Sequence, residues 1–396
     1  MTRPGISRRV LMRGGAIAGV ALAAGAAQAF GPPAGTLRLA VPALSGRGLS
    51  AALLGPGTRF ETLTDISATG ELLPELATGW QAEEGGRVWR FVLREDARFQ
   101  DGRPVRAADV ARALGAEAGR GEVVFRLERP DLELPFRLAD PSRAVRHPLD
   151  PEIGSGPYAV ERHGLGSLRL ARVPEHWRDG SGAWFDAVRV TAMASPSDRL
   201  AALRRGEIDA APLTADEAET LDRTRGLRWA RVPGWQHVVL DCGTPEVAAA
   251  LSCVLDRARL VSGPLRGLGR APDLPFDAFA ARAAVARAGL SGAEVTLDAT
   301  PGTPPALVRG IVGQLAEAGL IPGTEGLRLR LWRSSGRMTP GWAADHLAAQ
   351  GDPARLLIPV HADMVLGHTA RLVRPEAIGG RHDLDDGRIA LRWAFA

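Results

Sequence analysis

Short apolar runs alternate with stretches of helical spacing along most of the chain. Residues 36–41, 60–66 and 88–93 read as strands from their β-branched, aromatic and leucine content. Ala108, Val110, Ala111 and Leu114 then recur at helical spacing, which predicts a short helix over 107–114. Residues 122–127 return to a strand pattern. Gly154-Ser155-Gly156-Pro157 marks a turn into a strand at 158–161, followed by strands at 167–173 and 185–193. Ser197 stands where a helix N-cap belongs, with Asp198 in the first turn and Gly206 after the end, so a helix is expected to run to Arg205. After a short buried strand at 208–211, Thr214 and Glu217 form a capping-box pattern for the next helix.

The second half keeps this rhythm. A strand is expected at 238–241. Pro245 opens a helix that carries Val247, Leu251, Val254, Leu255 and Ala258 on one face. Helices at 277–288 and 307–318 end at Gly289 and Gly319, with strands at 295–299, 327–332 and 356–360. Strand-helix alternation of this kind indicates a mixed α/β lobe following a strand-rich first half. Residues 263–275 are the most linker-like interior stretch.

Residues 1–29 have a different character. Arg8-Arg9 sits in Ser7-Arg8-Arg9-Val10-Leu11-Met12, a twin-arginine pattern, ahead of a weakly apolar, alanine- and glycine-rich stretch and a small-residue cleavage site at Ala27-Gln28-Ala29. We read 1–29 as an export signal; its apolar core is too short and glycine-rich to span a bilayer comfortably. No later stretch approaches the ~18 continuous apolar residues of a membrane span. Export also changes the charge. The chain has no lysine, and its 49 basic residues face 45 acids. The signal holds Arg3, Arg8, Arg9 and Arg13, so the remainder carries 45 of each sign. A basic nucleic-acid footprint is therefore not supported. Cys242 and Cys253 are the two cysteines. An oxidising compartment would permit a bridge between them, and two unpaired thiols are equally consistent with the spacing.

The motifs of catalysis are missing. There is no G-x-S-x-G elbow, no phosphate loop and no H-E-x-x-H. Gly154-Ser155-Gly156 is followed by Pro157, which removes an amide donor that a phosphate would need. His346, His361, His368 and His382 cluster late in the chain without metal-ligand spacing. Trp80, Trp89 and Trp184 lie in core-like patterns, whereas Trp235, Trp332 and Trp342 fall at strand ends or in loops.

A resemblance accounts for the unusual elbow after the strand at 88–93. The segments Pro74-Glu75-Leu76-Ala77-Thr78-Gly79-Trp80, Phe99-Gln100-Asp101-Gly102-Arg103-Pro104 and Ala107-Ala108-Asp109-Val110 resemble those of the extracellular solute-binding proteins of family 5. Phe60-Glu61-Thr62-Leu63, Gly154-Ser155-Gly156-Pro157-Tyr158, the stretch from Arg199 to Asp209, Asp256-Arg257 and Leu357-Ile358-Pro359-Val360 resemble further motifs, in the family's order. The intervals 110–154 and 332–356 look shortened, so this is a short member.

The resemblance implies an α/β fold of the periplasmic-binding-protein type, with two lobes, mixed sheets and a hinge. Lobe I would comprise 30–240 plus 355–396 and lobe II 241–354, with crossovers near 238–243 and 355–361. It implies a monomeric periplasmic protein that captures a peptide or similar small solute for an ABC permease, without catalysis or cofactor; the signal motif adds export by the twin-arginine translocase, and the charge balance adds no nucleic-acid partner. The alternatives are a nickel chelate or haem-type ligand, a periplasmic metallochaperone or enzyme, and a non-transporting sensor. The expected ligand-binding residues lie beside the crossovers: Trp235, His237, Asp241, His361 and Asp363, with Trp332 and Trp342 walling the second lobe. An aspartate there could pair a ligand amine or serve as a hinge cap. A histidine could meet a carboxylate or a chelated metal. Arg199 and Asp209 are expected to serve folding.

Overall fold

The computed structural model describes residues 35–42, 58–272, 274–300, 303–335, 352–379 and 383–396. Arg8, Arg9 and the rest of the expected export signal lie outside these residues, as does Trp342. The chain forms two compact units. The first takes the described residues of Met1–Ala192 together with Arg371–Gly379 and Leu384–Ala396, and the second takes those of Met193–Ala370 and Gly380–Asp383. These limits follow compactness; the lobe limits at 240 and 354 concern a hinge and return below as a proposal.

In unit 1, β1 (Thr36–Val41) runs parallel to β7 (Ala187–Ala192), which continues antiparallel through β6 (Ser167–Arg172) to β5 (Tyr158–Gly164). A second antiparallel sheet joins β2 (Ala77–Glu83), β3 (Val88–Leu93) and β4 (Glu122–Arg126). Alternation along β3 sends Trp89, Phe91 and Leu93 into the core, where they meet Trp80, Phe125 and the buried side of α1 (Ala107–Leu114). Arg90 points the other way and pairs with Glu83 and Glu122. Helix α1 begins with a capping box, in which Asp109 accepts the Arg106 N–H at 3.1 Å, and ends at Gly115 with φ +70°.

The elbow between β3 and α1 is a clamp. The Gln100 side-chain amide donates to the carbonyls of Arg59 at 2.8 Å, Gly156 at 3.2 Å and Tyr158 at 2.7 Å, and its oxygen accepts the Gly154 N–H at 3.1 Å. The glycines of that turn are required by closeness. A Cβ on Gly154 would collide with the Arg59 carbonyl oxygen, and one on Gly156 would lie 2.6 Å from the Thr58 carbonyl oxygen. The Gly154 to Pro157 turn is thus a packing element, in agreement with its proline.

Buried charges close unit 1. Arg388, 2% exposed, bonds Asp65 at 2.8 Å and Glu75 at 3.1 Å. Glu75 also takes Arg178 at 2.7 Å and the Thr62 N–H and hydroxyl at 2.9 and 2.6 Å. Buried ion pairs hold only when each oxygen is bonded in this way. Arg388 thereby ties the C-terminal segment to the rest of the unit.

Unit 2 begins with α2 (Pro196–Arg204), β8 (Ala210–Leu213) and α3 (Ala215–Asp222). Ser195, not Ser197, caps α2: its hydroxyl accepts the Asp198 N–H at 3.4 Å, and Pro196 takes the first helical position. Arg199, 1% exposed, donates to the carbonyls of Met193, Ala194 and Pro212, a folding role. Then follow β9 (Leu227–Asp241), α4 (Pro245–Ser252), α5 (Arg257–Ser262), β10 (Gly269–Arg270), α6 (Ala278–Arg287), β11 (Glu294–Ala299), α7 (Pro305–Glu317), β12 (Leu327–Ser335), β13 (Leu356–Leu357) and β14 (His361–Thr369). The single helix expected from Pro245 is two. Asp256 caps the second by accepting the Arg259 N–H at 3.0 Å, and its own N–H is held by Gln314. The linker-like stretch contains a strand, β10. The two cysteines are free thiols, Cys242 buried and Cys253 exposed.

The sheet of unit 2 runs β11-β12-β9-β14-β8, with β10 on β14 and β13 on β9. One face is apolar: Val238, Leu240, Val295, Leu329, Leu331 and Ala362 pack with Leu251, Leu260, Val285, Ile311 and Leu315 of the helices. Among the described residues no helix is long and apolar enough to cross a membrane.

Candidate functional site

The other face of that sheet carries the candidate site. Side chains alternate along a strand, so neighbours of core residues point away from the core. Val238 and Leu240 face the core, which turns His237 and Asp241 outward. Leu331 does the same for Trp332, and Ala362 for His361 and Asp363. Register aligns them: His237 is opposite His361, Val239 opposite Trp332, and Asp241 opposite Arg330. Five of the seven expected ligand residues therefore share one sheet face. The backbone of Trp235 belongs to β9; Trp342 lies outside the described residues.

The two histidines touch. Their Nδ1 atoms are 2.6 Å apart and the rings stand at 87°, with centroids 4.8 Å apart. His237 is buried and His361 half-buried. Burial, then His237, then Arg270 hold His361 below the usual histidine range. Both acids are already engaged. Asp363, its side chain fully buried, bonds Arg231 at 2.6 Å. Asp241 bonds Arg355 at 3.1 Å and accepts the Gly243 N–H at 2.9 Å, so it also holds the turn after β9. Trp332 is half-buried, with the Arg330 guanidinium 5.9 Å from its ring centre.

Arg270 and Arg231 escaped the sequence reading. Arg270 pairs in register with His361, which places Arg270, His361 and His237 in one row across β10, β14 and β9. Gly269 permits this approach, since a Cβ there would lie 2.7 Å from the His361 carbonyl oxygen. That glycine was the available signal, but nothing local distinguishes it from the neighbouring turn glycines. The face offers hydrogen-bond donors, an aromatic wall and cations. On the core side, directly after β9, burial pushes the Cys242 thiol up to about 12, away from nucleophilic use. Among the described residues no group of three or more His, Cys, Asp or Glu side chains is arranged to hold a metal ion.

A mixed α/β fold with such a polar sheet face suits reversible capture of a small solute. The chain belongs to the bacterial extracellular solute-binding proteins, family 5, whose middle-region model matches residues 71–116 and 115–284. It is 29% identical over 249 residues to protein XP55 of Streptomyces lividans, covering 52% of this chain and 45% of that protein. It is 25% identical over 254 residues to the probable D,D-dipeptide-binding periplasmic protein DdpA of Escherichia coli, covering 54% of this chain and 49% of that protein. The chain thus spans about half the length of the curated relatives it matches. Among solved structures, NikZ of Campylobacter jejuni in complex with Ni(L-His) superposes with TM-score 0.76 at 14% identity, over 90% of this chain and 99% of that one. The expected periplasmic-binding-protein fold class is the observed one.

Proposed function

We propose that the protein is the periplasmic substrate-binding component of an ABC importer. It captures a peptide or similar small solute and passes it on chemically unchanged. The observation that carries this reading is the outward face of the unit 2 sheet, where His237, Trp332, His361 and Arg270 lie together on adjacent strands. Family membership and the dipeptide-binding name of one relative support it. In this reading Trp235 and Trp342 add aromatic surface to the same site, while Asp241 and Asp363 position it through Arg355 and Arg231. Lobes at 30–240 plus 355–396 and at 241–354, hinged near 238–243 and 355–361, would close on the solute. A ligand shifts such an equilibrium only by its differential affinity for the closed form. Export through the twin-arginine route at Arg8 and Arg9 and a monomeric state complete the proposal.

The test is a thermal-shift screen of the chain from residue 30 onward against di- to pentapeptides, nickel–histidine and haem. A bound solute at about 100 times its Kd should add about 2.7 kcal/mol of stability. Trp332→Ala and His237→Ala should abolish the shift while leaving the unliganded protein folded. A shift unchanged in both variants would remove this face as the site. A response to nickel–histidine alone would replace the peptide by a metal chelate.

A further inference from the structure

We propose that His361, His237 and Arg270 form a proton-linked anion site, where a carboxylate of the captured solute is taken up together with one proton. The proposal names the chemistry of the site suggested above and rests on that reading. The three groups lie in one row on the outward face, contributed by three neighbouring strands. The Nδ1 contact of 2.6 Å has room for one proton. Either His237 donates and His361 accepts, or the reverse. When His361 donates through Nδ1 and also carries a proton on Nε2, it is an imidazolium that keeps its bond to His237. Protonating both Nδ1 atoms would set N–H against N–H and break the contact.

The surrounding charges favour an anionic ligand. Arg270 flanks His361 on β10. Along β14 the next outward group is Asp363, engaged by Arg231 of β9. Along β9 the acid beyond His237 is Asp241, engaged by Arg355. Among the described residues on these strands, neither acid is left to balance the row. Burial first, then His237 and Arg270, disfavours a charge on His361. A carboxylate set between Arg270 and the Nε2 edge of His361 offsets the two neighbouring charges, and a solvent proton then completes an imidazolium–carboxylate pair. A bare metal cation would instead face a guanidinium. Solute affinity should therefore rise, by up to about tenfold for each pH unit lowered across the window between the free and bound titrations of His361.

The experiment uses the full chain with 15N-labelled histidine, following the His361 ring by NMR across pH in sodium acetate and in sodium chloride of equal ionic strength. Acetate should raise the His361 titration midpoint by about half a unit or more, and Arg270→Gln should abolish that rise while the His237 contact persists. An unmoved midpoint, or a full shift retained in Arg270→Gln, overturns the proposal. If acetate moves His361 but no solute in the screen binds, the anion site stands and the binding-protein reading falls. If a solute binds without moving His361, the binding-protein reading stands and the anion site falls.

Discussion

Glu61 and His176 lie side by side in unit 1, and burial drives their titrations in opposite directions. Glu61 is fully buried. Its Oε1 is 3.4 Å from Arg178 Nε, and the same guanidinium makes its shorter bond, 2.7 Å, to Glu75. Burial pushes the Glu61 carboxyl up to about 7, with Arg178 opposing and Glu75 reinforcing the rise. His176 Nε2 is 3.8 Å from Glu61. That ring donates from Nε2 to the Ser155 carbonyl and accepts the Arg178 N–H on Nδ1, the bonding of a neutral imidazole. Burial holds it down to about 4. A carboxyl raised on folding stabilises at low pH and loses that contribution as pH rises from 4.5 towards 7. A histidine lowered on folding does the reverse: its contribution is full above 6.5 and is lost as pH falls towards 4. Each is worth about 3 kcal/mol, so the two slopes nearly cancel across their shared window. Glu61→Gln keeps the shape and removes one slope. Urea unfolding at a series of pH values should show the variant gaining about 3 kcal/mol on the natural chain between the two ends of the Glu61 window. Titrating groups that do not interact with Glu61 drop out of that difference. A difference independent of pH would refute the assignment.

Three further outcomes follow from the packing. Gly154→Ala should prevent unit 1 from folding at ordinary temperature, seen as lost near-UV circular dichroism, whereas Gly79→Ala, where a Cβ meets nothing within 4 Å, should be tolerated. Arg388→Ala leaves Asp65 and Glu75 buried without their shared cation and should cost about 3–5 kcal/mol by urea unfolding. In the folded protein a thiol reagent should modify exposed Cys253 promptly and buried Cys242 only after denaturation, as read by intact mass.

Local chemistry made much of the fold legible. The strand at 88–93 and the helix at 107–114 appear at the expected residues because alternation, helical spacing and a terminal glycine all agree there. Thr214 and Glu217 form their capping box. The Ser195 cap was misplaced because two serines flank Pro196, and local pattern does not choose between them. The strand expected at 356–360 forms only over 356–357, as β13, and β14 at 361–369 lies beyond that expectation. β14 carries Asp363 and His368, polar residues that interrupt an apolar strand pattern, and Asp363 is engaged by Arg231 from 132 residues away. Arg270 needed the register of a two-residue strand. The Glu61, Glu75, Arg178 and Arg388 network joins segments up to 313 residues apart, so no window of sequence displays it. The outward sheet face was partly legible, since strand-end histidines, aspartates and Trp332 were singled out, but their common side depended on pairing.

Native mass spectrometry tests capture without chemistry most directly. The chain would be incubated with a mixture of short peptides and nickel–histidine, sprayed intact, and then denatured to release what it holds. The expected result is a one-to-one complex whose released solute has the mass of an unmodified component, and which is lost in Trp332→Ala. A released product of altered mass, or an uncomplexed chain throughout the mixture, would contradict the account.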